Sequence, residues 1–579
     1  MIDVGTEEYL FTIGILLSFI GMLVSIAMSR RDILSVFRSR GFRKAYIGYA
    51  LIVMALFLAV ELSLVKPTQQ LFFDDAIYQG GAQALLHSGQ AWMCNYGTPV
   101  QCFAGQIFHE PVGTSFNIAL GFGLFGVSRA VVFNEYILVS ALAVLVTFFA
   151  AFLLFGRFWH SLFSELLMAL SPIILVWAAP TTSDMLMMFY SVVALVAMLL
   201  FIRRKRAWTL AFFAFSLAFV AYTKVDAGAY LVLFPLMYLV LDGKSVADSV
   251  KSNLRLIRGN LLNTKLLVVA LIALLVVLPE VLYVTTIAAN DTYGAIGTQI
   301  QNTCGTGYMN VTGTINLQNF GANICSNALF WVNAYSSLQT NYPIMQPMLF
   351  TLLAVIGLAL LAAYRKREWA ALSLWFGAIF LIYTAFYAGS VLFGVDWRFM
   401  LALIPVTSLL GGYAVGEGIR IARGTRRSSI AAGAVAVIAI AVITYSTLSM
   451  APQLAINPRN ITQAQTARFY ENFVYSNAQL IPSSCAVFSF DPTLFNINGR
   501  TSTQFFNLTG PSTPQYRYYS STYPCLVIDY GFWCYTTSDM RAQCTNVMRE
   551  YNTVAIATAK DNASGNLYGL YRITGVNSS

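Results

Sequence analysis

The chain has 579 residues, of which 57% are hydrophobic and 10% charged, and its mean hydropathy is +0.65. Soluble globular proteins carry roughly 25% charged residues, so the composition excludes that class. The formal charge of +10 leaves a polyanionic partner open until the positions of the charges are known.

Apolar runs near or above the roughly 20 residues that cross a bilayer recur along most of the chain. Twelve spans are predicted, at 9–28, 46–65, 131–155, 161–179, 184–202, 207–222, 227–242, 266–287, 344–363, 369–388, 398–419 and 429–450. The pair 161–179 and 184–202 also reads as one broken segment. Asp3, Glu7 and Glu8 precede the first run and basic residues follow it. That is the reverse of a signal peptide and predicts a retained helix entering from outside. The predicted fold class is an α-helical polytopic membrane protein with a small C-terminal extracytoplasmic α/β domain. Residues 1–45 form an additional N-terminal span and basic loop, 46–450 the membrane domain with outer loops 66–130 and 288–343, and 451–579 the disulfide-containing tail. In the tail, helix-like stretches (461–480, 539–551) alternate with strand-like ones at Cys485–Phe488, Cys525–Tyr530, Thr553–Ala557 and Leu567–Ile573.

With the N-terminus outside, the inner loops hold 23 of the 35 Lys and Arg residues, as the positive-inside rule requires. They include Arg30 to Lys44, Arg157, Arg203 to Arg206, Lys244 to Lys265, Arg365 to Arg367 and Arg420 to Arg427. Asp32, Asp242, Asp248, Glu368 and Glu417 leave that side at +18, and the remaining 12 basic and 20 acidic residues leave −8. The excess charge is therefore a topology signal, and no nucleic-acid partner is expected. The eight cysteines fall in predicted outer segments, where an oxidising compartment preserves disulfides. Cys94 with Cys102 and Cys304 with Cys325 are the expected pairs, and Cys485, Cys525, Cys534 and Cys544 allow three connectivities. Asn290, Asn310, Asn460, Asn507, Asn562 and Asn577 head outer glycosylation sequons. The cell envelope implied is a prokaryotic plasma membrane, archaea included.

The first outer loop opens Phe72-Phe73-Asp74-Asp75-Ala76-Ile77-Tyr78 and continues through Ala82 to a helix-closing Gly89. Residues 114–127 are apolar but short and glycine-interrupted, and suit a helix lying along the interface. Adjacent carboxylates at a membrane edge can act as a general base, ligate a divalent metal, or merely be solvated. Before the tail only four outer bases exist, Lys66, Arg129, Lys224 and Arg398, each at a predicted span end. Lys66 reads as a snorkelling anchor. The other three, near Glu135, Asp226 and Asp396, make a shared phosphate site attractive because charge beside the membrane is costly. Asp184 opens a span after Pro180-Thr181-Thr182-Ser183, where an acid can simply complement the helix dipole. Glu61, Glu165, Glu280 and Glu417 lie within or near spans and have no partner evident from sequence.

In this order the features resemble the GT-C superfamily of polytopic glycosyltransferases, particularly its protein-mannosyltransferase-like and aminoarabinose-transferase-like branch. The matching pieces are Asp74-Asp75-Ala76-Ile77-Tyr78 running to Gly89, His109-Glu110-Pro111, Leu124-Phe125-Gly126 with Ser128 and Arg129, Ser171-Pro172, Asp184, Thr223-Lys224, and Arg398-Phe399-Met400-Leu401 with Pro405. They cover roughly residues 46–420. The sequence departs from the family pattern at Asp75, where Glu is usual, and in its additional first span.

The resemblance implies inverting transfer of a hexose-like, mannose-like sugar from a polyprenyl phosphate, dolichyl or undecaprenyl, to a protein, glycan or lipid acceptor outside. Asp74 is the implied base, and Arg129, Lys224 and Arg398 the holders of the leaving phosphate. Asp75 orients the acceptor or shares a divalent metal with Asp74, the only cofactor in view. Asp184, Tyr78, His109, Glu110 and Trp397 are implied contacts for sugar, acceptor or cation, with Trp92 a further aromatic platform. The competing class is a secondary transporter or flippase of lipid-linked glycans, for which many spans and intramembrane acids are equally typical. Internal repeats, usual in transporters, are not evident in the sequence. A scaffold that binds through its tail would explain the disulfides but not the charges at the membrane edge.

Overall fold

The computed structural model describes residues 4–64, 73–89, 111–242, 264–286, 324, 346–386, 396–423, 428–449, 461–508, 510–511 and 513–577. In chain order the membrane part comprises α1 (Val4–Ser39), α2 (Lys44–Leu64), α3 (Phe73–Ser88), α4 (Gly113–Phe125), α5 (Arg129–Phe155), α6 (Phe158–Ala169) and α7 (Pro172–Trp177). It continues with α8 (Ser183–Arg204), α9 (Ala207–Ala221), α10 (Tyr230–Asp242), α11 (Thr264–Thr286), α12 (Met348–Tyr364), α13 (Lys366–Phe386), α14 (Ile404–Arg423) and α15 (Ser428–Leu448). A helix satisfies its own backbone polar groups, which is why runs this apolar take no other form in lipid.

Every predicted span coincides with a helix or a short series of them, but six helices among the described residues are long and apolar enough to cross a membrane. They are Tyr9–Ser39, Lys44–Ser63, Arg129–Phe155, Ser183–Arg204, Arg398–Arg423 and Ile430–Leu448. The stretch 161–179 breaks where Ser171-Pro172 separates α6 from α7, since proline supplies no amide hydrogen and clashes with a preceding turn. The expected basic loop after the first span is largely helix, because α1 continues through Arg30, Arg31 and Arg38. The first helix is also integral to the bundle, packing against α9 and α11.

Close helix contacts are made at small residues. A side chain at Gly357 on α12 would strike the carbonyl oxygen of Leu410 at 1.9 Å, and one at Gly412 would strike the Ser164 amide nitrogen at 2.3 Å. Glycine thus brings α14 against both α12 and α6, as small residues do in membrane helix packing. At the far end of α6, Glu417 accepts from Arg157 at 3.1 Å, lies 3.1 Å from His160 Nε2 and pairs with Arg420. This gives Glu417 the partners that its sequence neighbourhood left unnamed.

The two ends of the bundle differ in charge. Around the C-terminus of α5, Arg40 donates to the Phe152 carbonyl at 3.1 Å and Arg365 to that of Leu154 at 3.3 Å. Its N-terminus carries Arg129 and meets the C-terminal domain through a salt bridge to Glu471. At about 1.5 Å per residue, the 27 residues of α5 separate these ends by roughly 40 Å.

The C-terminal domain contains α16 (Ile461–Asn477), β1 (Cys485–Ser489), α17 (Pro492–Asn496), β2 (Thr501–Gln504), α18 (Pro514–Thr522), β3 (Cys525–Tyr530), α19 (Ser538–Glu550), β4 (Tyr551–Lys560) and β5 (Leu567–Val576). The sheet order is β2-β1-β3-β5-β4, with β1 parallel to both β2 and β3, and β5 antiparallel to both β3 and β4. Cys485 and Cys525 are register partners on β1 and β3 and form a disulfide, and Cys534 pairs with Cys544. One of the three open connectivities is thereby selected. Cys94, Cys102, Cys304 and Cys325 lie outside the described residues. β2, α17 and α18 had no predicted counterpart, because Thr501-Ser502-Thr503-Gln504 is short, polar and without alternation. Through α17 the domain touches α3 of the membrane part.

Candidate functional site

Three segments distant in sequence meet at the Arg129 end of the bundle. The first is the start of α8. Thr182 accepts the Met185 amide hydrogen at 3.3 Å as an N-cap, which sets Asp184 in the first turn with 1% of its surface exposed. The second is the turn after α9. There the Gly113 amide donates to the Tyr222 carbonyl at 2.8 Å and the Thr114 hydroxyl to that of Thr223 at 3.4 Å. The beginning of α4 thereby holds the Thr223-Lys224 turn in place. Lys224 caps a 3-10 turn, Val225–Ala229, that carries Asp226. The third is Arg398, in the 3-10 segment Asp396–Leu403 that leads into α14.

These segments converge on one carboxylate. Lys224 Nζ donates to Asp184 Oδ1 at 2.7 Å and to Asp226 Oδ2 at 3.3 Å, while Arg398 Nε stands 3.5 Å from Asp184 Oδ2. Phe399 lies beneath both cations, its ring centre 4.5 Å from the Lys224 ammonium and 5.2 Å from the Arg398 guanidinium. The Tyr383 ring is 5.6 Å from Lys224 on another side. An aromatic face attracts a cation without neutralising it, so these rings stabilise the two bases while leaving their charge available. Burial alone would lower the Lys224 ammonium, but Asp184 and Asp226 outweigh it and hold its pKa above the ordinary lysine value.

α3 stands beside this cluster. Its first turn includes Asp74 and Asp75, and one turn later Gln79 Nε2 donates to Thr181 Oγ1 at 3.2 Å, three residues before Asp184. Tyr78 is buried on the same helix. The side chains of Asp74, Asp75 and Trp397, and the whole of Trp92, His109 and Glu110, lie outside the described residues. Among the described residues no three His, Cys, Asp or Glu side chains gather as metal ligands.

Arg129 is engaged elsewhere. Its guanidinium pairs with the fully buried Glu471 of α16 and lies between Phe133 and Tyr475, 4.9 and 4.6 Å from their ring centres. Asp226 was legible in the sequence as the acidic neighbour of Lys224, whereas Phe399, quoted beside Arg398, had no role assigned to it. Tyr383 and Glu471 carried no sequence signal, since Tyr383 is more than 150 residues from Lys224 and Glu471 more than 300 from Arg129.

Residues 109–283 match the sequence model of the family described as dolichyl-phosphate-mannose-protein mannosyltransferase. No curated protein sequence matches the chain significantly. Among solved structures, ArnT from Cupriavidus metallidurans in the apo state is similar with a TM-score of 0.54 and 15% identity, over 91% of this chain and 98% of that one. The same protein bound to undecaprenyl phosphate is similar with a TM-score of 0.51 and 14% identity, over the same 91% and 98%. The Archaeoglobus fulgidus oligosaccharyltransferase in the apo form gives 0.50 and 13%, over 93% of this chain and 75% of that one. A family signature over residues 109–283 and a fold shared over nine-tenths of the chain lead to one conclusion: this protein has the fold of ArnT, and part of its membrane region resembles the protein-mannosyltransferase family.

Proposed function

We propose that the protein transfers a hexose-like sugar, mannose in type, from a polyprenyl phosphate to a hydroxyl-bearing acceptor at the outer membrane face. The observation that carries this reading is the convergence of Lys224 and Arg398 on Asp184 beside the helix that begins with Asp74 and Asp75. A donor whose lipid tail stays in the bilayer presents its phosphate at such a boundary. Two cations backed by aromatic rings suit the charge that grows on the phosphate as the glycosidic bond breaks. Similarity to a structure bound to undecaprenyl phosphate supports the donor class.

In this proposal Asp74 removes the acceptor proton as its oxygen attacks the anomeric carbon, giving inversion. Asp75 is assigned to the acceptor, and Tyr78, His109, Glu110 and Trp397 are the further residues assigned to sugar or acceptor. Arg129, whose charge is paired with Glu471, is not part of the phosphate site in this proposal. Were a hard divalent ion bound, Asp74 and Asp75 would be the oxygen donors to hold it, and it would stabilise charge on the leaving phosphate. The test is transfer from a panel of polyprenyl-phosphate sugars, reading release of lipid phosphate with and without chelator. Asp74→Asn should abolish release while the purified protein elutes and melts as the parent does. Near-normal turnover in that variant refutes the base assignment. Movement of intact donor across a vesicle membrane without sugar release would favour the flippase reading.

A further inference from the structure

We infer that Asp226 is an exchangeable counter-ion, which occupies Lys224 until the donor phosphate takes its place. The inference rests on the proposed phosphate site and deepens it. Lys224 and Arg398 bring two positive charges, Asp184 and Asp226 two negative ones, so these four side chains are formally neutral as they stand. A neutral cluster has little net attraction for a phosphate anion. Binding requires that one carboxylate withdraw.

The two carboxylates differ in how readily they can do so. Asp184 is only 1% exposed and faces both cations, so moving it would leave a buried charge unpaired. Asp226 is 24% exposed, meets Lys224 at the longer distance of 3.3 Å, and sits on a short 3-10 turn. Turning it outward gives up the partly exposed pair with Lys224 and the neighbouring Tyr383 hydroxyl, but hydrates Oδ1, a buried oxygen that has no hydrogen-bond partner among the described residues, so the loss is small. An ammonium has three donors, so Lys224 can keep Asp184 and give the donor now on Asp226 to a phosphate oxygen. Asp184 is then the permanent anchor of both cations and Asp226 a positioning residue that holds Lys224 in wait. The spent lipid phosphate leaves by the reverse exchange, with Asp226 returning to Lys224.

The test measures binding of undecaprenyl phosphate to the full chain in nanodiscs for the parent, Asp226→Asn, Asp226→Glu and Lys224→Gln. Asp226→Asn should tighten binding about fivefold or more at low salt, with the gain shrinking as salt rises. Turnover of that variant should show lower donor KM and stronger inhibition by product lipid phosphate. Asp226→Glu, which keeps the charge, should stay within about twofold of the parent. Unchanged or weaker binding in Asp226→Asn overturns the exchange while leaving the phosphate site standing, provided Lys224→Gln has lost affinity. Retained affinity in Lys224→Gln removes the phosphate site itself, and the exchange with it. Thermal midpoints of all four proteins separate these effects from unfolding, and Asp226→Ala repeats the charge removal without an amide.

Discussion

Arg398 and Lys224 differ in what their loss should do. Among the described contacts Lys224 meets Asp184 and Asp226 and Arg398 meets Asp184, and both rest on the Phe399 ring. A charge-assisted hydrogen bond to phosphate contributes roughly 1.5–3 kcal/mol. Arg398→Ala should therefore weaken donor binding by roughly tenfold to a hundredfold. Equilibrium binding of undecaprenyl phosphate measures it, and unchanged affinity would return Arg398 to the role of an interfacial anchor. Arg398→Lys should recover only part of the loss, since an ammonium lacks the planar fork of a guanidinium. At this scale the sequence was informative about residue type and silent about partners. The scarcity of outer bases picked out Lys224 and Arg398, but that they share Asp184, 40 residues before the first and 214 before the second, is a property of helix packing.

Among the elements, α5 and α16 form a junction that can be tested. Glu471 is wholly buried and pairs with Arg129, so Arg129→Ala leaves a carboxylate in a dry place with less compensation. A loss of about 1–3 kcal/mol in stability is expected, smaller than for an isolated buried pair because Arg468 also lies near Glu471. Thermal unfolding of the parent and variant checks it. In the sheet, Asp529 at the end of β3 accepts from Ser489 at 2.6 Å and from Tyr470, yet burial pushes its carboxyl up to about 6. The unfolded carboxyl titrates near 3.9. Between roughly pH 4 and 6 the folded state therefore holds the proton more tightly, and the Asp529 contribution to stability falls as pH rises through that window. Asp529→Asn removes this slope: its thermal midpoint should match the parent below about pH 4 and exceed it at pH 7. A constant gap across that range would refute the assignment. The strand pattern read from Cys485–Phe488 and Cys525–Tyr530 was correct in position, whereas β2 is legible only through its pairing with β1.

For the molecule as a whole, charge separates one end of the bundle from the other. Arg40 and Arg365 gather at the C-terminus of α5, and Arg129 with the disulfide-bearing domain at its N-terminus. In sealed vesicles a single cysteine replacing Arg367 and one replacing Ser564 should be labelled by a membrane-impermeant thiol reagent from opposite sides. The labelling is best done with the native disulfides intact. Labelling of both from one side would invert the topological reading of the tail.

What the sequence by itself determined is the membrane-helical class, together with an expected segregation of 23 bases to one side and the identity of the few charged residues expected at the other edge. Those follow from hydropathy and electrostatics, which act on each segment independently of the rest of the chain. Only the tertiary structure decided that six helices among the described residues have the length and apolarity to cross, that Arg129 binds Glu471, and that Cys485 pairs with Cys525. It alone brought Lys224, Arg398, Asp184 and Asp226 into one cluster. These depend on which helices lie side by side, and that choice is made by glycines such as Gly357 and Gly412, where the loss of one methyl group lets two backbones touch.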